Sequence, residues 1–118
     1  MTQFNNAYET LFDYLKQEAK ELGYKVNPTT LSPYVRKPTK TIYLQYWKKT
    51  TESLYCFCHE LGHVRCCINL NRKYKVLRIV DEVIAWVLGC KFVRKYKLPK
   101  LDYIKSAKIH LRSYIGNK

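Results

Sequence analysis

One pentapeptide constrains this chain more than anything else in it: His59-Glu60-Leu61-Gly62-His63, flanked by the apolar residues Leu54, Tyr55, Phe57 and Val64. Two imidazoles four residues apart project from the same face of an α-helix, one turn apart. From there both can reach a single zinc ion at about 2.0–2.1 Å. Glu60 lies about 100° round the helix axis, near such an ion without being a natural ligand. That suits it to take a proton from an activated water. Gly62 keeps the helix slim where another backbone approaches.

The rest of the chain supplies an α+β frame for that helix. Phe4, Tyr8, Leu11, Phe12, Leu15, Ala19 and Leu22 follow the three-and-four spacing of one helical face, and Gly23 is placed to end it. Tyr24-Lys25-Val26 reads as a short strand. Pro28, Pro33 and Pro38 then exclude any long helix. Thr39 to Tyr46, rich in β-branched and aromatic residues, reads as a strand. Trp47 to Thr50 turn the chain, Thr51 is placed to cap helix two, and Glu52 falls in its first turn. Helix two is expected from about Glu52 to Ile68 and helix three from about Val76 to Tyr96, joined by a polar basic connection, Asn69 to Lys75. A last helix from Leu101 to Tyr114 places Leu101, Ile104, Leu111 and Ile115 on one side. The expected fold is thus an N-terminal helix, a small antiparallel or mixed sheet of two or three strands, the HExxH helix and two further helices. At 118 residues this is a single domain spanning residues 1–118.

A catalytic zinc takes three protein ligands and keeps an open position. Glu82 is the best-placed third ligand. Eighteen residues, Val64 through Asp81, separate it from His63, enough for an antiparallel helix three to return past the metal. Ala85 and Gly89 follow on the same face, small enough for close packing. Two acids in an apolar helical pattern also need a compensating cation or partner. Asp81 is the rival ligand, and His110 a further ligand or transition-state contact. Tyr74 or His110 could supply an oxyanion donor. Cys56 and Cys66 or Cys67 share a helical stripe with the histidines, but one helix cannot wrap a tetrahedral ion with four of its own side chains.

Five cysteines, an odd number without a visible signal peptide, suit reduced thiols in a cytoplasm. The most apolar stretch, Ile79 to Val93, is broken by Asp81, Glu82 and Lys91, and falls short of the about 20 residues that cross a bilayer. No membrane contact is expected. The net charge of +13 is uneven: residues 91–118 hold nine basic residues and one acid. Lys91, Arg94, Lys95, Lys97, Lys100, Lys105, Lys108 and Arg112 therefore form a candidate nucleic-acid surface, although abundant Lys, Tyr, Asn and Ile also arise from AT-rich codon usage.

With these residues the chain resembles the ImmA/IrrE family of small zinc peptidases, found in bacteria and on phages and other mobile elements. Thr41–Tyr46 matches the strand before the metal helix, His59–His63 the HELGH motif, and Glu82-Val83-Ile84-Ala85 the Glu-x-x-Ala element, so the resemblance covers roughly residues 5–100. It implies one zinc held by His59, His63 and Glu82, Glu60 as catalytic base, and a protein substrate that in the family is often a DNA-binding transcriptional repressor. The chain departs from the pattern at Trp86, where the family often has an acid or a small residue, and in carrying no attached helix-turn-helix. The expected activity is peptide hydrolysis. The competing expectation is a non-catalytic phage-encoded DNA- or protein-binding factor built on the same scaffold.

Overall fold

The computed structural model describes residues 2–30, 32–45, 50–66 and 74–116, with the side chains of 2–7 and 114–116 left out. Four helices and a three-stranded sheet follow one another as α1 (Thr2–Glu21), β1 (Lys25–Pro28), β2 (Tyr34–Arg36), β3 (Thr41–Leu44), α2 (Thr51–Arg65), α3 (Lys75–Lys95) and α4 (Lys100–Gly116). This is an α+β fold. Tyr46 to Lys49, the connection from 67 to 73, and the side chains of Phe4 and Ile115 fall outside the described residues.

In α1, Tyr8, Leu15 and Ala19 are buried and Leu11 and Phe12 half-buried, as their spacing dictates. The helix stops at Gly23, whose φ of +85° lets its N–H reach Lys20 O (2.9 Å) while the Tyr24 N–H reaches Ala19 O (2.9 Å). This is a Schellman end, which favours glycine because a Cβ is strained in the left-handed region. Leu22 lies beyond the last helical turn and is 41% exposed, contrary to its expected place on the buried face. Glu18, buried on the same helix, accepts hydrogen bonds from Lys95 and Tyr96. Burial alone would raise its pKa, but these two partners hold it below the ordinary carboxylate value.

The sheet is mixed, in the order β1-β3-β2. Val26 pairs in parallel with Ile42, and Val35 pairs antiparallel with the same residue. β3 is the central strand, with Thr41, Ile42 and Leu44 buried. It is shorter than its sequence pattern suggests, because Pro38 sits in a 3-10 turn (Lys37–Thr39) that claims Thr39. Pro28 ends β1, an edge strand, where a missing N–H is tolerated.

α2 begins one residue earlier than expected. Thr50, not Thr51, is the N-cap, its Oγ1 accepting from the Ser53 N–H at 3.2 Å. It also ends sooner, at Arg65, since Cys66 is already extended (φ −73°, ψ 117°). On α4 the inward face is Tyr103, Ser106, Ala107, His110 and Leu111, whereas Leu101 and Ile104 are 74% and 42% exposed. Both sets have helical spacing. The inward one carries Tyr103, whose hydroxyl donates to Trp86 O (2.5 Å) and whose ring meets Tyr55 edge-on at 5.7 Å.

Candidate metal centre

The site starts from two glycines. A Cβ placed on Gly62 would fall 1.8 Å from Ala85 O, and one on Gly89 would fall 2.4 Å from Cys58 O. Small residues on both helices thus let their backbones touch, and the pairing of 62 with 85 and 58 with 89 makes α2 and α3 antiparallel. This contact sets Glu82, on α3, opposite His59 and His63, on α2.

Both Nε2 atoms converge on the Glu82 carboxylate. His59 Nε2 is 2.8 Å from Oε1, and His63 Nε2 is 3.2 Å from Oε2. The three side chains bring their donor atoms within 4.8 Å of one another. Each remaining ring nitrogen faces another acid: His59 Nδ1 lies 3.4 Å from Glu60 Oε2, and His63 Nδ1 lies 3.8 Å from Asp81 Oδ2. Asp81 is therefore on the Nδ1 side of His63, whereas Glu82 is the acid that faces both Nε2 atoms.

The donor set suits a cation. His59 Nε2 is buried, and its 2.8 Å approach to Glu82 is an ion-pair contact without hydrogen-bond alignment. A buried nitrogen met only in this misaligned way is incompletely satisfied, and an ion shared between the two groups would use both donor atoms. Two imidazoles and one carboxylate are also a donor combination that zinc accepts. Without an ion, a proton does part of that work. Burial would lower the pKa of His59, but the Glu60 and Glu82 carboxylates outweigh it and hold the ring up at about 9. Burial likewise would raise Glu82, and the two imidazoles instead pull it far below the usual range.

Glu60 is 4% exposed and, with His59, lines a cleft of about 440 Å³ whose other walls include Tyr8, Leu44, Glu52 and His110. His110 thus reaches the same cleft, where its Nε2 sits 3.3 Å from Glu52 Oε2; it is not in the His59–His63–Glu82 group. Tyr74 is 58% exposed and is not among the residues lining the cleft. Trp86, one turn beyond Glu82, stacks flat on His59 (ring centroids 4.2 Å apart, 9° between planes) and also meets His110 at 5.4 Å. It is a buttress for the His59 ring. Its spacing from Glu82 was the available signal, which the resemblance alone turned into a mere departure.

Among the described residues no cysteine joins the His59–His63–Glu82 group, so the four-ligand cysteine stripe does not form; Cys67 lies outside those residues. The basic candidates are all exposed. Lys91, Arg94 and Lys95 share a shallow cleft with Arg65, about 420 Å³ in volume, and Lys95 is already engaged by Glu18. Lys97, Lys100, Lys105, Lys108 and Arg112 do not line that cleft.

Compared with protein-family models, curated proteins and solved structures, the chain matches none.

Proposed function

We propose that this protein is a zinc-dependent peptidase in which His59, His63 and Glu82 hold the ion and Glu60 is the general base. One observation carries the reading: the donor atoms of His59, His63 and Glu82 gather within 4.8 Å, and one of the three, His59, lines a cleft together with Glu60. Zinc bound there would lower the pKa of a water toward ~7 and polarise a scissile carbonyl. The chain's own residues supply the remainder. Glu60 Oε atoms accept the water proton and return it to the leaving amine. Asp81 and Trp86 hold His63 and His59 in their ligating orientation, one by its carboxylate and one by its ring face. The family resemblance points to a regulatory protein as substrate, with a DNA-binding repressor as the leading class.

Glu60→Gln tests this, since it keeps size and removes the base. With zinc content and fold intact, cleavage of the target should fall by about 10²-fold or more.

The cleft formed by Arg65, Lys91, Arg94 and Lys95 favours a second reading, a binding factor that contacts nucleic acid or an acidic protein. A biological effect that survives Glu60→Gln but is lost in His63→Ala would establish that reading and refute hydrolysis.

A further inference from the structure

A second cluster of donor atoms stands apart from the first. Glu52 and Cys56 are one turn apart on α2, and His110 reaches them from α4; their carboxylate, thiol and imidazole atoms lie within 4.8 Å of one another. We propose that these three residues form a second binding site for a divalent cation of the zinc class, on the wall of the same cleft.

Several features prepare it. The Ser106 hydroxyl donates to Glu52 Oε1 at 2.8 Å, which holds the carboxylate while Oε2 points at His110. Trp86 packs against the His110 ring on one side and the His59 ring on another, so one indole braces a residue of each cluster. Thiolate, imidazole and carboxylate together match the borderline-soft preference of zinc better than that of calcium or magnesium. Three ligands from two helices leave a fourth position open to the cleft. On binding, the Cys56 thiol gives its proton to solvent and His110 must be neutral, so the ion replaces the Glu52–His110 contact with bonds to both. Because Glu52 and His110 are partly exposed, this site is the weaker of the two. Its occupancy would add a tie between α4 and α2.

This proposal goes beyond hydrolysis and does not depend on it. Cobalt added to the metal-free full-length protein provides the test, because only the second site contains sulfur. Two equivalents should bind, with a thiolate-to-cobalt charge-transfer band in the near ultraviolet. Cys56→Ser should abolish the band and leave one equivalent bound. His110→Ala should weaken the second equivalent by at least about tenfold, the scale already seen when an outer partner of a ligand is lost. Glu82→Gln should weaken the first equivalent and leave the band, whereas Cys90→Ser should change neither. No band at saturating cobalt, a band undiminished in Cys56→Ser, or a band lost in Glu82→Gln would each overturn the proposal.

Discussion

Replacing Gly62 by alanine gives two opposite expectations, depending on whether the helix is considered alone or in its packing. In a solvated helix the change stabilises, by about 1 kcal/mol, because alanine loses less backbone entropy. In this protein the added Cβ would lie 1.8 Å from Ala85 O, 2.8 Å from Ala85 C and 2.9 Å from Gly89 N. All three are backbone atoms of α3, so no side chain can swing aside. The helices must separate by more than an ångström at the tightest point in their contact. Overpacking of this kind costs about 1–3 kcal/mol, and a purely backbone clash belongs at the top of that range or above it. Net of the propensity gain, Gly62→Ala should destabilise the protein by about 2 kcal/mol or more. For a domain of this size that is a fall in Tm of about 10 °C.

The measurement is thermal and urea unfolding of the metal-free protein followed by circular dichroism, which keeps ligand binding out of the comparison. Gly23→Ala is the control: nothing lies within 4 Å of its added Cβ, and only the left-handed φ of +85° opposes it, a cost of about 1–2 kcal/mol. A Gly62→Ala protein as stable as the parent would refute the close helix approach, and with it the placement of Glu82 against the histidines.

Further outcomes follow from the same geometry. Glu82→Gln should weaken zinc by well over the ~10–100-fold expected for Asp81→Asn as an outer partner; the reverse order by metal titration would make Asp81 the ligand. Trp86→Ala removes the plate behind His59 and empties a buried ring's volume, so it should cost about 3–5 kcal/mol in urea unfolding, and a loss below about 1 kcal/mol would deny the stacking. In the metal-free protein the raised His59 pKa stabilises fully below its unfolded value of 6.5 and is lost as pH rises through about 9, while the lowered Glu82 pKa stabilises above 4.5 and is lost as acid protonates it. Metal-free stability should therefore decline from pH 6 to pH 9 in urea titrations, and a flat profile would contradict the carboxylate–imidazole contacts. If the basic residues of α3 bind duplex DNA, the log–log slope of affinity against salt should be about 0.9 per phosphate contacted, and Lys91→Ala with Arg94→Ala should reduce it by about two such steps.

Local chemistry made some elements readable before any fold was known. The face of α1, its stop at Gly23 and the extended character of Thr41–Leu44 each depend on a residue and its near neighbours. So does the gathering of His59 and His63, which helical spacing alone enforces. Glu82 was legible for a different reason: small residues at 85 and 89 declare a close helix partner, and the only slim point on α2 is Gly62. What could not be read depends on choices between equivalent patterns. α4 has two apolar stripes, and Tyr103 decided between them through a carbonyl on another helix. β2 is three residues between two prolines, too short for alternation to register. Glu52, Cys56 and His110 form no pattern in sequence, because the third member is fifty-four residues from the second.

The same helix contact explains why so many ionisable groups sit together without dispersing the fold. Glu60, Asp81 and Glu82 place three carboxylates against two imidazoles on helices that also bury Phe57, Leu61, Ala85 and Trp86. Such a group is stable only if positive charge is supplied. A proton on His59 supplies some of it, which is why that ring's pKa is raised rather than lowered by burial. A divalent cation would supply more, since Nε2 of both rings already faces the Glu82 carboxylate. The backbone contact at Gly62 and Gly89, not the ion, sets this geometry. On the proposed reading, a metal would displace protons from a framework that helix packing already holds, in contrast to small zinc domains whose fold forms only on binding.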